Sequence, residues 1–143
     1  MKKKGKHLEK TLKISSIREN IHQAETFCRE FLIDLNIDED RINTSLIIIT
    51  ELVNNAIIHG NQADPQKFVR INMKYNEKSR ILHFTITDEG PGFDDENLSD
   101  PTNKENLLKS SGRGIYIVKH YAKTFTHYVK NNKHVTEVSL DLS

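Results

Sequence analysis

The sequence predicts an α+β two-layer sandwich, a mixed, mostly antiparallel sheet covered on one face by helices. Three observations carry this prediction. Alternating apolar segments occur in two close pairs, 69–75 with 82–86 and 126–129 with 135–142, as hairpins require. Two stretches of helical periodicity precede the first pair and a third separates the pairs, an order that favours hairpins packed under helices over a parallel βαβ sheet. The chain has 143 residues, 36% hydrophobic and 29% charged, which suits one folded domain spanning 1–143 with a core of ordinary size.

Each element follows from its local pattern. Residues 8–14 are short and mixed, an edge-strand pattern. Lysines at 2, 3, 4 and 6 precede them, so 1–7 is expected to be a flexible basic tail. Ser16 followed by Glu19 reads as a capping box for a helix whose face carries Ile21, Ala24, Cys28, Phe31, Leu32 and Leu35. Asn36 ends that helix and Asp38 can cap the next. The second helix lines up Ile42, Leu46, Ile49, Leu52, Val53 and Ala56, then stops at Gly60. After a turn at Asp64 and Pro65, Val69, Ile71, Met73 and Tyr75 alternate with Arg70, Asn72 and Lys74. Residues 76–79 turn the chain, and Leu82, Phe84 and Ile86 bring it back to Asp88.

From 94 to 111 nothing is periodic, and a gap of that length in a compact domain suits a lid or binding loop. Residues 114–122 then form a helix with Ile115, Val118 and Tyr121 or Ala122 inward. The last two strands meet at Asn131 and Asn132.

Composition removes several function classes. Lys and Arg number 21 against 20 Asp and Glu, a net charge of +1, which gives no broad electrostatic case for nucleic acid. One cysteine forms neither an internal disulfide nor a cysteine zinc cage, and Cys28 reads as core. The longest apolar run, 46–49, is far too short to span a bilayer, and no apolar signal region follows the basic start. A cytoplasmic protein is the expectation.

Three clusters carry chemistry. Glu51, Asn55 and His59 stand at i, i+4 and i+8 on the second helix, beside Ile47, Ile48 and Ile58. A solvated face would explain the spacing alone, but a carboxylate beside apolar surface needs a partner. Asn55 offers a neutral oxygen for a hard cation such as Mg²⁺, and Glu51 could take a proton from a hydroxyl or water. His59 reads better as a packed or capping histidine than as a phosphate contact.

Asp88-Glu89-Gly90-Pro91-Gly92 ends a strand with no helix after it, so it is neither a dinucleotide fingerprint nor a P-loop. It places a carboxylate, able to accept from an exocyclic amine, beside backbone that can approach a flat ligand closely. Ser111-Gly112-Arg113-Gly114 stands before a helix, where exposed amides and the Arg113 charge suit phosphate.

Taken together, these residues resemble the ATP-binding domain shared by histidine kinases, Hsp90, type II topoisomerases and MutL, the Bergerat fold. The likeness runs from about Ile42 to Leu140. Glu51-Leu52-Val53-Asn54-Asn55 is similar to its N box, Asp88 to Gly92 to its first glycine box, and Gly112-Arg113-Gly114 to its second. Glu51 to Gly60, ending Ile57-Ile58-His59-Gly60-Asn61, together with Ser111-Gly112-Arg113-Gly114-Ile115 and the compact length, most resembles the small anti-sigma-factor serine/threonine kinases and their regulatory relatives.

The resemblance implies ATP and Mg²⁺ as ligands and assigns a role to each matching residue. Asp88 would read the adenine amine, with Gly90 and Gly92 in the turn beside it. Asn55 would hold Mg²⁺, and Glu51 would be the base acting on a serine or threonine hydroxyl. Gly112, Arg113 and Gly114 would close the lid, 94–111, over the phosphates. Thr136 matches a family threonine near adenine, although Val135 replaces the usual preceding glycine. Lys123 stands where relatives often carry an acid.

The partners implied are a sigma factor or similar regulator, an anti-sigma antagonist as phosphorylation substrate, and a second copy of the chain. No direct nucleic acid or membrane partner is implied. The competing reading is an ATP-binding regulatory module that sequesters a partner without phosphoryl transfer. A histidine-kinase catalytic domain fits less well: no dimerisation helix pair with an acceptor histidine is present, and a lone helical histidine such as His22 is more often surface.

Overall fold

The computed structural model describes residues 7–91 and 110–143, with side chains at 8–91 and 115–143. The order is β1 (His7–Ser15), α1 (Asn20–Ile33), α2 (Glu39–Asn54) running into a π-helical segment (Asn55–Gly60), β2 (Phe68–Asn76), β3 (Ile81–Asp88), α3 (Ser110–Tyr121), β4 (Thr124–Lys130) and β5 (Lys133–Asp141). The strands form one five-stranded sheet in the order β1-β2-β3-β5-β4. Every pairing among the described residues is antiparallel, the limiting case of the mostly antiparallel sheet expected.

Period-two patterning decides which face is covered. Val69, Ile71, Met73 and Tyr75 of β2 are buried, as are Leu82, Phe84 and Ile86 of β3 and Val138 and Leu140 of β5. Arg70, Lys74, His83 and Glu137 point to the other, open face. Against the apolar face lie Ala24, Cys28, Phe31 and Leu32 of α1, Leu46, Ile48, Ile49, Leu52 and Val53 of α2, and Ile115 and Val118 of α3. Each large aliphatic side chain taken out of water here contributes about 1.5–3 kcal/mol. Cys28 is wholly buried, and desolvation, with Glu25 nearby, pushes its thiol up to about 12. It is packing material rather than a nucleophile.

The turns follow from their residues. Asn131 and Asn132 both have positive φ, 53° and 61°, which suits the twist of the tight β4–β5 hairpin. In the β2–β3 turn, Asn76 Oδ1 accepts the Lys78 and Ser79 amides, and Arg80 takes the left-handed position.

Some expectations shift. His7 is already in β1, paired with Asn76, inside the segment expected to be flexible; residues 1–6 lie outside the described residues. Ser16 and Glu19 form no capping box: the α1 N-cap makes no side-chain bond, because Ser16 is buried and its Oγ donates to the Lys67 carbonyl. Asp38 does cap α2, accepting from the Arg41 amide at 2.8 Å. Finally, α3 begins at Ser110, so Gly112, Arg113 and Gly114 lie inside its first turns rather than ahead of it. The first amides of a helix have no acceptor within the helix itself.

Candidate functional site

The site is built where α2 ends. From Asn55 the helix widens: the Asn61 amide reaches back five residues to the Ala56 carbonyl, and the Ala63 amide reaches Ile57. Such π turns concentrate at functional positions, since they carry one residue out of regular register. Glu51 is half-buried, Asn55 is only 6% exposed, and His59 is exposed. Ile48 is buried and Ile58 half-buried beside them, but Ile47 is exposed, so the apolar flank expected for the stripe is partial.

Asp88 ends β3, the middle strand of the sheet, and is almost wholly buried. Its Oδ1 accepts the Gly90 amide at 2.7 Å, and its Oδ2 lies 3.1 Å from His134 Nδ1. His134 is buried too, and its Nε2 lies 3.2 Å from Nδ1 of His127 on β4. Two glycines make this packing possible. A Cβ on Gly60 would stand 2.6 Å from the Asp88 carboxylate, and one on Gly90 would stand 2.2 Å from the Gly60 carbonyl oxygen. The end of the helix and the turn after β3 therefore touch backbone to backbone, closer than any side chain permits.

Asn61 locks that contact. Wholly buried, it accepts the Glu89 amide at 2.7 Å through Oδ1 and donates through Nδ2 to Ser16 Oγ at 2.7 Å and the Phe68 carbonyl at 3.0 Å. Glu89 Oε2 in turn accepts the Phe68 amide.

Asn55, Asp88 and Thr136 line one pocket, with Leu52, Ala56 and Ile86 as its apolar wall and His59, Gly60 and His134 beside them. Glu51 is not part of that lining; it stands one helical turn back on α2. Gly90 packs on Gly60 instead of lining the pocket. Gly92 and most of the expected lid lie outside the described residues, which stop at 91 and resume at 110. Val135 alternates with Thr136 on β5, so its side chain is on the opposite face and takes no room from the pocket. Lys123 is exposed, with its amide bonded to the Ser139 carbonyl.

The residues present suit a nucleotide. Asp88 offers buried acceptor oxygens beside an apolar wall, as an aminopurine requires. Asn55 Oδ1 is buried without a hydrogen-bond partner among the described residues, and a neutral carbonyl oxygen so placed suits a hard cation. No group of three His, Cys, Asp or Glu among the described residues is arranged to hold a metal. A cation at Asn55 would thus draw most of its ligands from phosphate and water. Among the described residues no helix is long and apolar enough to cross a membrane.

Sequence reasoning passed over His134 and His127, and gave Asn61 no role beyond its place in the stretch 57–61. The alternation of β5 puts His134 on the same face as Thr136 and Val138, and that signal could have found it.

Residues 14–142 match the family described as histidine kinase-like ATPase domain. An anti-sigma F factor of Anoxybacillus flavithermus is 30% identical over 131 residues, covering 90% of this chain and 88% of its own. One of Geobacillus stearothermophilus is 32% identical over 116 residues, covering 79% and 77%. Among solved structures, the RsbU and RsbW domains of a Mycobacterium tuberculosis protein superpose with a TM-score of 0.69 at 12% identity, over 94% of this chain and 32% of that longer one. A histidine kinase domain of Erythrobacter litoralis superposes at 0.51 with 15% identity, over 71% of this chain and 44% of that one. At such identities the structural likeness speaks for the fold.

Proposed function

This chain belongs to the histidine kinase-like ATPase family, in its anti-sigma-factor kinase branch, and on that premise we propose that it is an ATP-dependent serine/threonine kinase of a partner switch. In this reading it binds a sigma factor or similar regulator and phosphorylates an anti-sigma antagonist. It works in the cytoplasm as a homodimer, which sedimentation velocity checks. The observation that carries the nucleotide reading is the meeting of Asn55, Asp88 and Thr136 in one pocket, with Asn55 Oδ1 buried and without a partner among the described residues.

The roles follow from the chemistry of each group. Asp88 accepts a hydrogen bond from the adenine amine with Thr136 beside it, and Gly90 and Gly92 serve the nucleotide from the stretch that follows Asp88. Asn55 Oδ1 would hold Mg²⁺, whose charge would neutralise that of the phosphates. Gly112, Arg113 and Gly114, in the first turns of α3, bind the phosphates. Glu51 takes the proton of the attacking hydroxyl as the new oxygen–phosphorus bond forms and the bond to departing ADP breaks. Positioning and charge neutralisation supply most of the rate.

One observation favours the second reading, a module that uses ATP only to set its affinity for a partner: Glu51 is not among the residues lining the pocket. Transfer of labelled γ-phosphate to a candidate antagonist separates the two. Transfer by wild type and its loss in Glu51→Gln supports the kinase. Binding of both ATP and antagonist without transfer leaves the regulatory module.

A further inference from the structure

Asp88 and His134 are direct cross-strand partners on β3 and β5, both on the helix-covered face and both at most 3% exposed. The other inward positions of β5 beyond Thr136 are apolar, Val138 and Leu140. A buried imidazole costs free energy there unless its nitrogens are satisfied, so its partners define its purpose.

Those partners also assign its hydrogens. An ionised carboxylate only accepts, so the 3.1 Å contact with Asp88 Oδ2 puts the hydrogen on His134 Nδ1. Its Nε2 lies 3.2 Å from His127 Nδ1, within hydrogen-bond reach. His127 packs edge-on against His134, with ring centroids 5.3 Å apart and an interplanar angle of 78°. The contacts thus run from β4 through β5 and end on the carboxylate of β3.

The carboxylate is consequently held from three directions: the Gly90 amide on Oδ1, His134 on Oδ2, and the Gly60 backbone against its carbon. We infer that His134 is a positioning and specificity residue for the base end of the nucleotide pocket, holding Asp88 so that it accepts from a purine bearing an exocyclic amine. With its donors already placed by the protein, the held carboxylate offers the pocket lone pairs only. A base with an amino group meets an acceptor. A base with a keto group, or with nothing at that position, leaves buried lone pairs unpaired. This deepens the nucleotide-binding reading and rests on it.

The test compares calorimetric titrations of ATP and of purine riboside triphosphate, which lacks only the amine, into the full chain with Mg²⁺. Wild type should prefer ATP. His134→Leu, similar in size but without a donor, should lose about tenfold in ATP affinity while its affinity for the amine-free analogue stays the same. His134→Asn, whose amide can donate near the position of Nδ1, should keep most of the preference. His127→Phe, which removes the outer imidazole and leaves His134 in place, should reduce the preference by about threefold and serves if His134→Leu fails to fold.

A preference for ATP that survives both His134→Leu and His127→Phe overturns the inference. So does a loss of affinity for the two nucleotides in equal measure, which would make His134 packing alone. A wild type that binds neither nucleotide overturns the nucleotide reading itself; a wild type that discriminates while His134→Leu discriminates equally overturns only this one.

Discussion

A single side-chain amide, Asn61, joins the end of the helix, the turn after β1, the start of β2 and the turn after β3. Removing it leaves buried groups on several of these segments without a partner. Asn61→Ala should therefore cost about 2–3 kcal/mol of unfolding free energy, read as a lower urea midpoint, well above the usual cost of a surface change. Legibility at this scale depended on distance along the chain. Asn55 and Asp88 announced themselves through neighbours a few residues away: a polar stripe on an apolar helix, and an acid ahead of glycines. Asn61 and His134 did not, because Asn61 meets Ser16 across 45 residues and His134 meets Asp88 across 46. A side chain whose partner lies that far off looks like any other polar residue until the sheet is assembled.

Among the elements, α2 carries the most information. Its N-cap, Asp38, is held below the ordinary carboxylate value of 3.8, first by the Arg41 amide and then by the Arg41 side chain. Because the folded value is depressed, the cap stabilises fully above the ordinary value, and the contribution is lost as pH falls through the folded value. Asp38→Asn keeps a capping oxygen but cannot titrate. Its thermal midpoint should fall less steeply than that of wild type below about pH 4, where the wild-type carboxylate gains its proton.

The same helix marks where pattern reading stopped. Apolar spacing placed its body and glycine its end, but the π turn from Asn55 leaves the burial of Ala56 and Ile57 compatible with an ordinary helix. The Ser16 capping box failed for a tertiary reason, since Asn61 and the Lys67 carbonyl claim the hydroxyl. The start of α3 was displaced because the glycine-rich stretch 111–114 was read as the approach to the helix rather than as its first turns.

For the whole molecule, two adjacent hairpins were legible from alternation, but strand order was not. The connection through α3 sets β4 at the edge and places β5 beside β3, and only that order brings His134 to Asp88. Ligand linkage is likewise a property of the whole fold. A nucleotide that binds only the folded chain should stabilise it by about 2.7 kcal/mol at a concentration 100 times its Kd. The thermal midpoint should therefore rise with ATP and Mg²⁺, and the rise should shrink on chelation or in Asn55→Ala, which scanning calorimetry can follow.

The place of β3 has a further consequence. With β2 on one side and β5 on the other, its backbone is bonded along both edges, whereas β4, among the described residues, pairs only with β5. Amide hydrogens of β3 should accordingly exchange with deuterium only on near-global opening, and those of β4 much sooner. Asp88 belongs to the slow class and His127 to the fast one. As the chain breathes, the acid keeps its place while the outermost imidazole comes and goes, so exchange at β4 becomes a clock for how long the pocket stays fully wired.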